Sequence, residues 1–232
     1  MRNLHLTAGD VSFLGPTDDV GPLPALIYFT MSHRDSLLQP PYNQVLIPLL
    51  SAPVRIFSWD LPYHPPGVEP NAGIHAWTEA VRRNEDFMTP FIEQSLSHIK
   101  DLKEKNLLIQ GSALTAGLSR GAYAAFRLAA ASVDIGGVAA FAPLIDFHGH
   151  TIASHADQLA SKWIRGFVSF HDTRIHTENV ISFFQELSDK KHRVSKPDIE
   201  LTLYPSIGYQ GHGTPESVFI EGGQAISRRL AP

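Results

Sequence analysis

The sequence predicts an α/β fold, a mostly parallel sheet with helices on both faces. Three observations carry that expectation. Short continuous apolar runs, such as Ala25-Leu26-Ile27-Tyr28-Phe29 and Gly137-Val138-Ala139-Ala140-Phe141, read as strands buried on both sides. Segments of helical periodicity separate them, so strand and helix alternate from Ala25 onward and the sheet is built from βαβ units. The chain has 232 residues, 43% hydrophobic and 18% charged, which suits a globular chain with a core of one sizeable domain, expected over 1–232.

The elements follow in order. Leu4-His5-Leu6 and Val11-Ser12-Phe13 flank the turn Thr7-Ala8-Gly9-Asp10 and predict an opening antiparallel hairpin. Gly15 to Pro24 is turn-rich, and Ala25 to Thr30 is the first buried parallel strand. Met31 to Pro41 reads as a loop, and Tyr42 to Leu50 as a short helix beginning after Pro40-Pro41. Val54 to Trp59 is the next strand and leads into Asp60 to Gly67, a loop ordered by its prolines. Gly73 to Arg83 has helical character. Thr89-Pro90 reads as an N-cap followed by a first-turn proline. The helix after it sets Phe91, Ile92, Ser95, Leu96, Ile99 and Leu102 against a charged face.

Downstream, Gly137 to Phe141 is a buried strand, and His148 to Trp163 is a connection with one short helix, too short for a lid domain. Gly166 to Phe170 is a strand that runs into His171-Asp172-Thr173-Arg174-Ile175. Thr177 caps a helix carrying Val180, Ile181, Phe184 and Leu187. Ile199 to Tyr204 alternates as an edge strand does. Thr214-Pro215 opens a terminal helix toward Leu230, weakened at Gly222-Gly223.

Charge and composition exclude several functions. The formal net charge is -4 and no block of Lys or Arg stands out, so nothing electrostatic favours nucleic acid or an anionic membrane. With no cysteine there is no disulfide, thiol nucleophile or thiolate metal site. Met1 to Pro16 lacks the pattern of a signal peptide and no apolar run reaches membrane-spanning length, so the expected location is cytoplasmic. His148-Gly149-His150 with His155 invites a metal reading, but no acidic residue completes a ligand set at suitable spacing. Neither metal nor cofactor is expected.

The chemistry points to Gly117-Leu118-Ser119-Arg120-Gly121. Small and apolar residues precede it, as a buried strand requires, and an Ala-rich run without Pro or internal Gly follows, as a helix requires. The pattern G-x-S-x-G then reads as a sharp strand-to-helix turn with Ser119 at its tip. The two glycines are expected to leave room for the serine's Cβ. The turn puts the Arg120 N–H at a helix N-terminus, where developing negative charge is stabilised. Parallel sheets place their sites at the carboxyl ends of the strands. Asp172 follows a buried strand and His212 lies in the glycine-rich loop Gly208 to Gly213, so both fall there. Asp146 competes with Asp172 as orienting acid, and His176 with His212 as base. Arg120 either binds an acidic group of the substrate or is solvated or salt-bridged. His64 and Asp60 read as braces of their loop, and Trp77 and Trp163 as core or pocket wall.

These residues resemble an α/β-hydrolase, nearest to the single-domain dienelactone-hydrolase-like and prolyl-oligopeptidase-like serine hydrolases. The likeness rests on Gly117-Leu118-Ser119-Arg120-Gly121, Asp172-Thr173-Arg174-Ile175 and Gly211-His212-Gly213, in the chain order Ser, Asp, His. Trp59-Asp60-Leu61-Pro62-Tyr63-His64 is similar to the family's segment after its fourth strand. The resemblance implies that Ser119 is the nucleophile, His212 the general acid/base and Asp172 the orienting acid. It also implies a second oxyanion donor after a His-Gly pair. Here that pair is replaced by Thr30-Met31, the next residue is Ser32, and the N–H of Ser32 is the candidate donor. The missing glycine predicts weak or unusual activity. The expected function is cleavage of an ester, thioester or amide in a small-molecule acyl substrate. The rivals are an aminopeptidase-like or acylpeptide-cleaving enzyme and a catalytically silent binding protein of the same fold.

Overall fold

In a computed structural model of the chain, residues 1–191 and 198–231 are described. The chain opens with an antiparallel hairpin of β1 (Arg2–Leu6) and β2 (Gly9–Leu14). There follow β3 (Leu23–Phe29), α1 (His33–Leu38), β4 (Arg55–Ser58), α2 (Pro70–Arg82) and α3 (Met88–Glu104). The next elements are β5 (Leu108–Leu118), α4 (Arg120–Ala131), β6 (Ile135–Phe141) and a small hairpin, β7 (Asp146–Phe147) and β8 (His150–Thr151). The chain closes with α5 (Ala156–Leu159), β9 (Trp163–Ser169), α6 (Thr177–Lys191), β10 (Ile199–Tyr204) and α7 (Glu216–Leu230).

The main sheet has eight strands in the order β1-β2-β4-β3-β5-β6-β9-β10. The pairings from β4 to β10 are all parallel, and the two pairings at the N-terminal end, β1 with β2 and β2 with β4, are antiparallel. Both faces are covered. In β3, Ala25, Ile27 and Phe29 point into a core shared with α2, α3, α4, α5 and α6. Leu26 and Tyr28 point into a second core with α1, the 3-10 turn Gln44–Leu49 and α7. Two buried faces explain why the strand reads as an unbroken apolar run. β10 lies at the sheet edge, as its alternation predicts. Among the described residues no helix is long and apolar enough to cross a membrane.

The structure departs from the sequence reading at several boundaries. His33–Leu38, expected as loop, is a helix because Ser32 caps it: its Oγ accepts the Asp35 N–H at 3.1 Å. The expected helix at Tyr42 to Leu50 is 3-10 over Gln44–Leu49, with Pro48 inside it. α3 begins one residue before Thr89, whose N–H is taken by Asp86 Oδ1 at 2.9 Å, so Asp86 supplies the cap. His148 to Trp163 holds part of a hairpin and two short helical turns in place of one helix. Finally, α7 runs unbroken through Gly222 and Gly223. A Cβ at Gly222 would collide with the Phe141 ring, and one at Gly223 with the Val45 carbonyl. The pair that looked like a weak point is what lets α7 lie directly on the sheet and on the Gln44–Leu49 turn.

Candidate active site

Ser119 joins β5 to α4 with φ 56° and ψ −113°. A non-glycine residue held there is strained by about 1–3 kcal/mol, and the surroundings must hold it. They do so through the backbone. The Ser119 N–H donates to the Phe141 carbonyl at 2.8 Å, and its own carbonyl accepts from the N–H groups of Ala122 (3.1 Å), Tyr123 (3.2 Å) and Leu144 (3.3 Å). The glycines also serve a purpose that the sequence reading did not name. A Cβ at Gly117 would run into the Gly121 backbone, and a Cβ at Gly121 would run into the Phe29 carbonyl at the end of β3. They bring strand, turn and helix together.

Asp172 and His212 meet Ser119 from two further loops at the same sheet edge. Ser119 Oγ–H donates to His212 Nε2 across 3.0 Å, and His212 Nδ1–H donates to Asp172 Oδ2 across 2.6 Å. Asp172 is buried, and its other oxygen accepts the N–H groups of Arg174 (3.0 Å) and Ile175 (3.2 Å). The carboxylate is thus pinned by its own turn, and the N–H bond to Nδ1 fixes the imidazole tautomer. The two loops are stitched together. Thr173 N–H donates to the Gln210 carbonyl at 3.0 Å, and Ser169 Oγ to the Gly211 carbonyl at 2.7 Å. Gly211, at φ 75°, lies so close to the His171 carbonyl that any side chain would strike it. Tyr204, at the end of β10, ties its hydroxyl to Thr214 Oγ1 at 3.0 Å, and burial pushes its pKa up to about 12.

The competing residues, Asp146 and His176, line the same cavity but are not joined to Ser119. Asp146 sits in β7 and accepts the Gly149 N–H at 3.1 Å. His176 lines the cavity from an exposed turn, and Ser119 bonds to His212 instead. Among the described residues, no group of three or more His, Asp or Glu side chains converges as metal ligands would. Asp60 Oδ1 accepts the backbone N–H and the ring Nδ1–H of His33 at 2.8 and 2.7 Å, which fixes the start of α1. His64 Nδ1–H and Trp77 Nε1–H both donate to the Pro62 carbonyl, at 2.8 and 2.7 Å, and brace that loop. Trp163 is buried in the core at the start of β9.

The loop after β3 differs from expectation. Ser32 is buried, and its hydroxyl is committed to Asp35. The cavity in front of Ser119 has a volume of about 770 Å³, and its wall at this loop is Thr30 and Met31, without Ser32. Ser36, which no sequence pattern singled out, holds the loop. Its hydroxyl accepts the Thr30 N–H at 3.0 Å, donates to the Ser32 carbonyl at 2.8 Å and meets Thr30 Oγ1 at 3.0 Å. The pattern Ser32-x-x-Asp35 was the available signal for the helix that carries it.

No protein-family model matches the chain, and no curated protein matches it in sequence. Solved structures do. TT1662 from Thermus thermophilus is 14% identical with a TM-score of 0.71, covering 100% of this chain and 98% of that one. A cold-adapted esterase from an Arctic intertidal metagenomic library is 14% identical with a TM-score of 0.72, covering 99% and 93%. A putative dipeptidyl aminopeptidase IV from Bacteroides ovatus is 15% identical with a TM-score of 0.71, and the match covers 99% of this chain and 35% of that one.

Proposed function

The chain has the α/β-hydrolase fold, and on that footing we propose that it is a serine hydrolase cleaving a carboxylic ester through Ser119, His212 and Asp172. One observation carries the reading: an unbroken hydrogen-bonded line from Asp172 through His212 to Ser119, assembled from three separate loops. Ser119 Oγ attacks the carbonyl carbon while His212 Nε2 takes its proton. Asp172 holds the imidazole and stabilises the imidazolium. The protonated His212 then gives its proton to the leaving alcohol, and the acyl-enzyme is released by a water that His212 activates.

The oxyanion needs two donors. Arg120 N–H at the start of α4 is the first. For the second, Met31 N–H is a better candidate than Ser32 N–H. Neither amide has an acceptor among the described residues, but only Met31 also lines the cavity. The Ser36 hydroxyl holds the peptides on either side of Met31, Phe29-Thr30 through the Thr30 N–H and Ser32-His33 through the Ser32 carbonyl.

The esterase neighbour supports an ester substrate. The dipeptidyl aminopeptidase neighbour supports an amide, which the same residues would cleave by protonating an amine. Labelling with a fluorophosphonate, read by intact mass, tests the scheme. The wild-type protein gains a single adduct that is lost in Ser119→Ala, and hydrolysis of 4-nitrophenyl esters falls roughly a millionfold in that variant. A wild-type protein that stays unlabelled while folded by circular dichroism would instead be a binding protein of this fold. Aminoacyl 4-nitroanilides run beside the esters separate amide from ester cleavage.

A further inference from the structure

Next to the nucleophile lies a charge that nothing answers. Arg120 lines the cavity, and its guanidinium carbon sits 5.5 Å from the centroid of the Trp77 ring. Its Nε is buried without a hydrogen-bond partner. Among the described residues neither Arg120 nor Arg174, which lines the same cavity, forms an ion pair. The nearby acids are engaged: Asp172 by His212 and its own turn, Asp146 by Gly149. Burial, and then the like charge of Arg174, pull the Arg120 pKa down to about 10, which still leaves it charged at neutral pH. A half-buried cation without a counter-ion is costly, and a long side chain ordinarily swings its head to water. Here the head lies on Trp77 and lines the cavity.

We propose that the cavity accepts an ester carrying a second, free carboxylate, which Arg120 holds as a planar two-oxygen partner while Arg174 supplies a supporting charge. The geometry of a guanidinium fork matches a carboxylate with two parallel hydrogen bonds. The inference rests on the hydrolase reading for the position of the scissile carbonyl at Ser119. The binding of the anion itself does not.

The test uses a substrate pair that differs only in that charge: mono-(4-nitrophenyl) glutarate and its methyl-capped diester. Ser119→Ala protein is titrated with each by calorimetry. The half-ester is expected to bind roughly ten- to a hundredfold more tightly. The preference disappears when Arg120→Met is added, survives in part with Arg120→Lys, which keeps charge but not the fork, and falls less with Arg174→Met. Where Arg120→Met does not fold, Arg120→Gln carries the same comparison. Equal binding of the two esters, absence of half-ester binding, or a preference that survives loss of the Arg120 charge overturns the proposal. Fluorophosphonate labelling of the wild type is read in parallel. Labelling without a preference removes the carboxylate site and leaves the hydrolase. A preference without labelling leaves the site and removes the hydrolase.

Discussion

The two walls of the cavity treat polar groups in opposite ways. On the Ser119–His212–Asp172 wall both imidazole nitrogens, both carboxylate oxygens and the serine hydroxyl are hydrogen-bonded. On the side toward α2, Arg120 Nε is buried with no partner at all, and so is His64 Nε2 behind the cavity lining. Groups that must hold one geometry are satisfied within the protein, whereas a group that awaits a ligand is left open and bears the cost until the ligand arrives. His64 marks the limit of that rule. Its Nδ1 is used to brace Pro62, and its ring lies against Gly73, where any Cβ would meet it, so its bare nitrogen has no route to the cavity.

The largest way to break the comparison is on the paired wall. Asp172→Asn keeps the shape but removes the charge that fixes the imidazole tautomer. We expect kcat to fall by roughly ten-thousandfold with the melting temperature nearly unchanged. An activity close to wild type would mean that the acid is not where the pairing puts it. A smaller effect should come from Ser36→Ala, which removes the bonds to the Thr30 N–H and the Ser32 carbonyl on either side of Met31. Here kcat and the rate of fluorophosphonate labelling should fall together, by roughly tenfold, with KM little altered, since one oxyanion donor is loosened and not lost. A change in KM alone would assign Ser36 to binding.

The smallest effect sharpens the comparison with a control far from the cavity. His98 in α3 is fully buried, its ring centroid 5.0 Å from that of Trp59, and both its nitrogens lack partners. Burial holds its pKa below the ordinary 6.5, opposed by Asp101. His64 is lowered too, first by burial. As the pH falls below about 6.5, the unfolded chain takes up protons that the folded chain refuses, so stability declines toward acid. His98→Leu should therefore flatten the dependence of the melting temperature on pH between 7 and 5. Ligand should not alter that slope, whereas a half-ester should raise the melting temperature through Arg120.

What the sequence revealed follows from where each signal is written. The sheet was legible because apolar runs report burial directly, and Ser119 because its glycines leave a fixed spacing. Asp172 and His212 were legible because each follows a strand end. The shape of the loop after β3 was not. It depends on Ser36, six residues from Thr30 and on a different element, and a hydroxyl on a helix has no pattern to betray it. Gly222-Gly223 misled for a related reason. A helix propensity describes an isolated segment, while those glycines answer to Phe141 and Val45 across the fold.

His212 is carried on a loop that has no slack. With Gly211 pressed against His171 and tied through Ser169, that loop is closed to insertion and to any larger residue at its bend. The β7–β8 hairpin is its opposite: a Cβ on Gly149 at its tip would meet nothing within 4 Å. A descendant of this chain that took up a new diet would lengthen the hairpin and remodel the mouth above Ser119, while its histidine stayed in place.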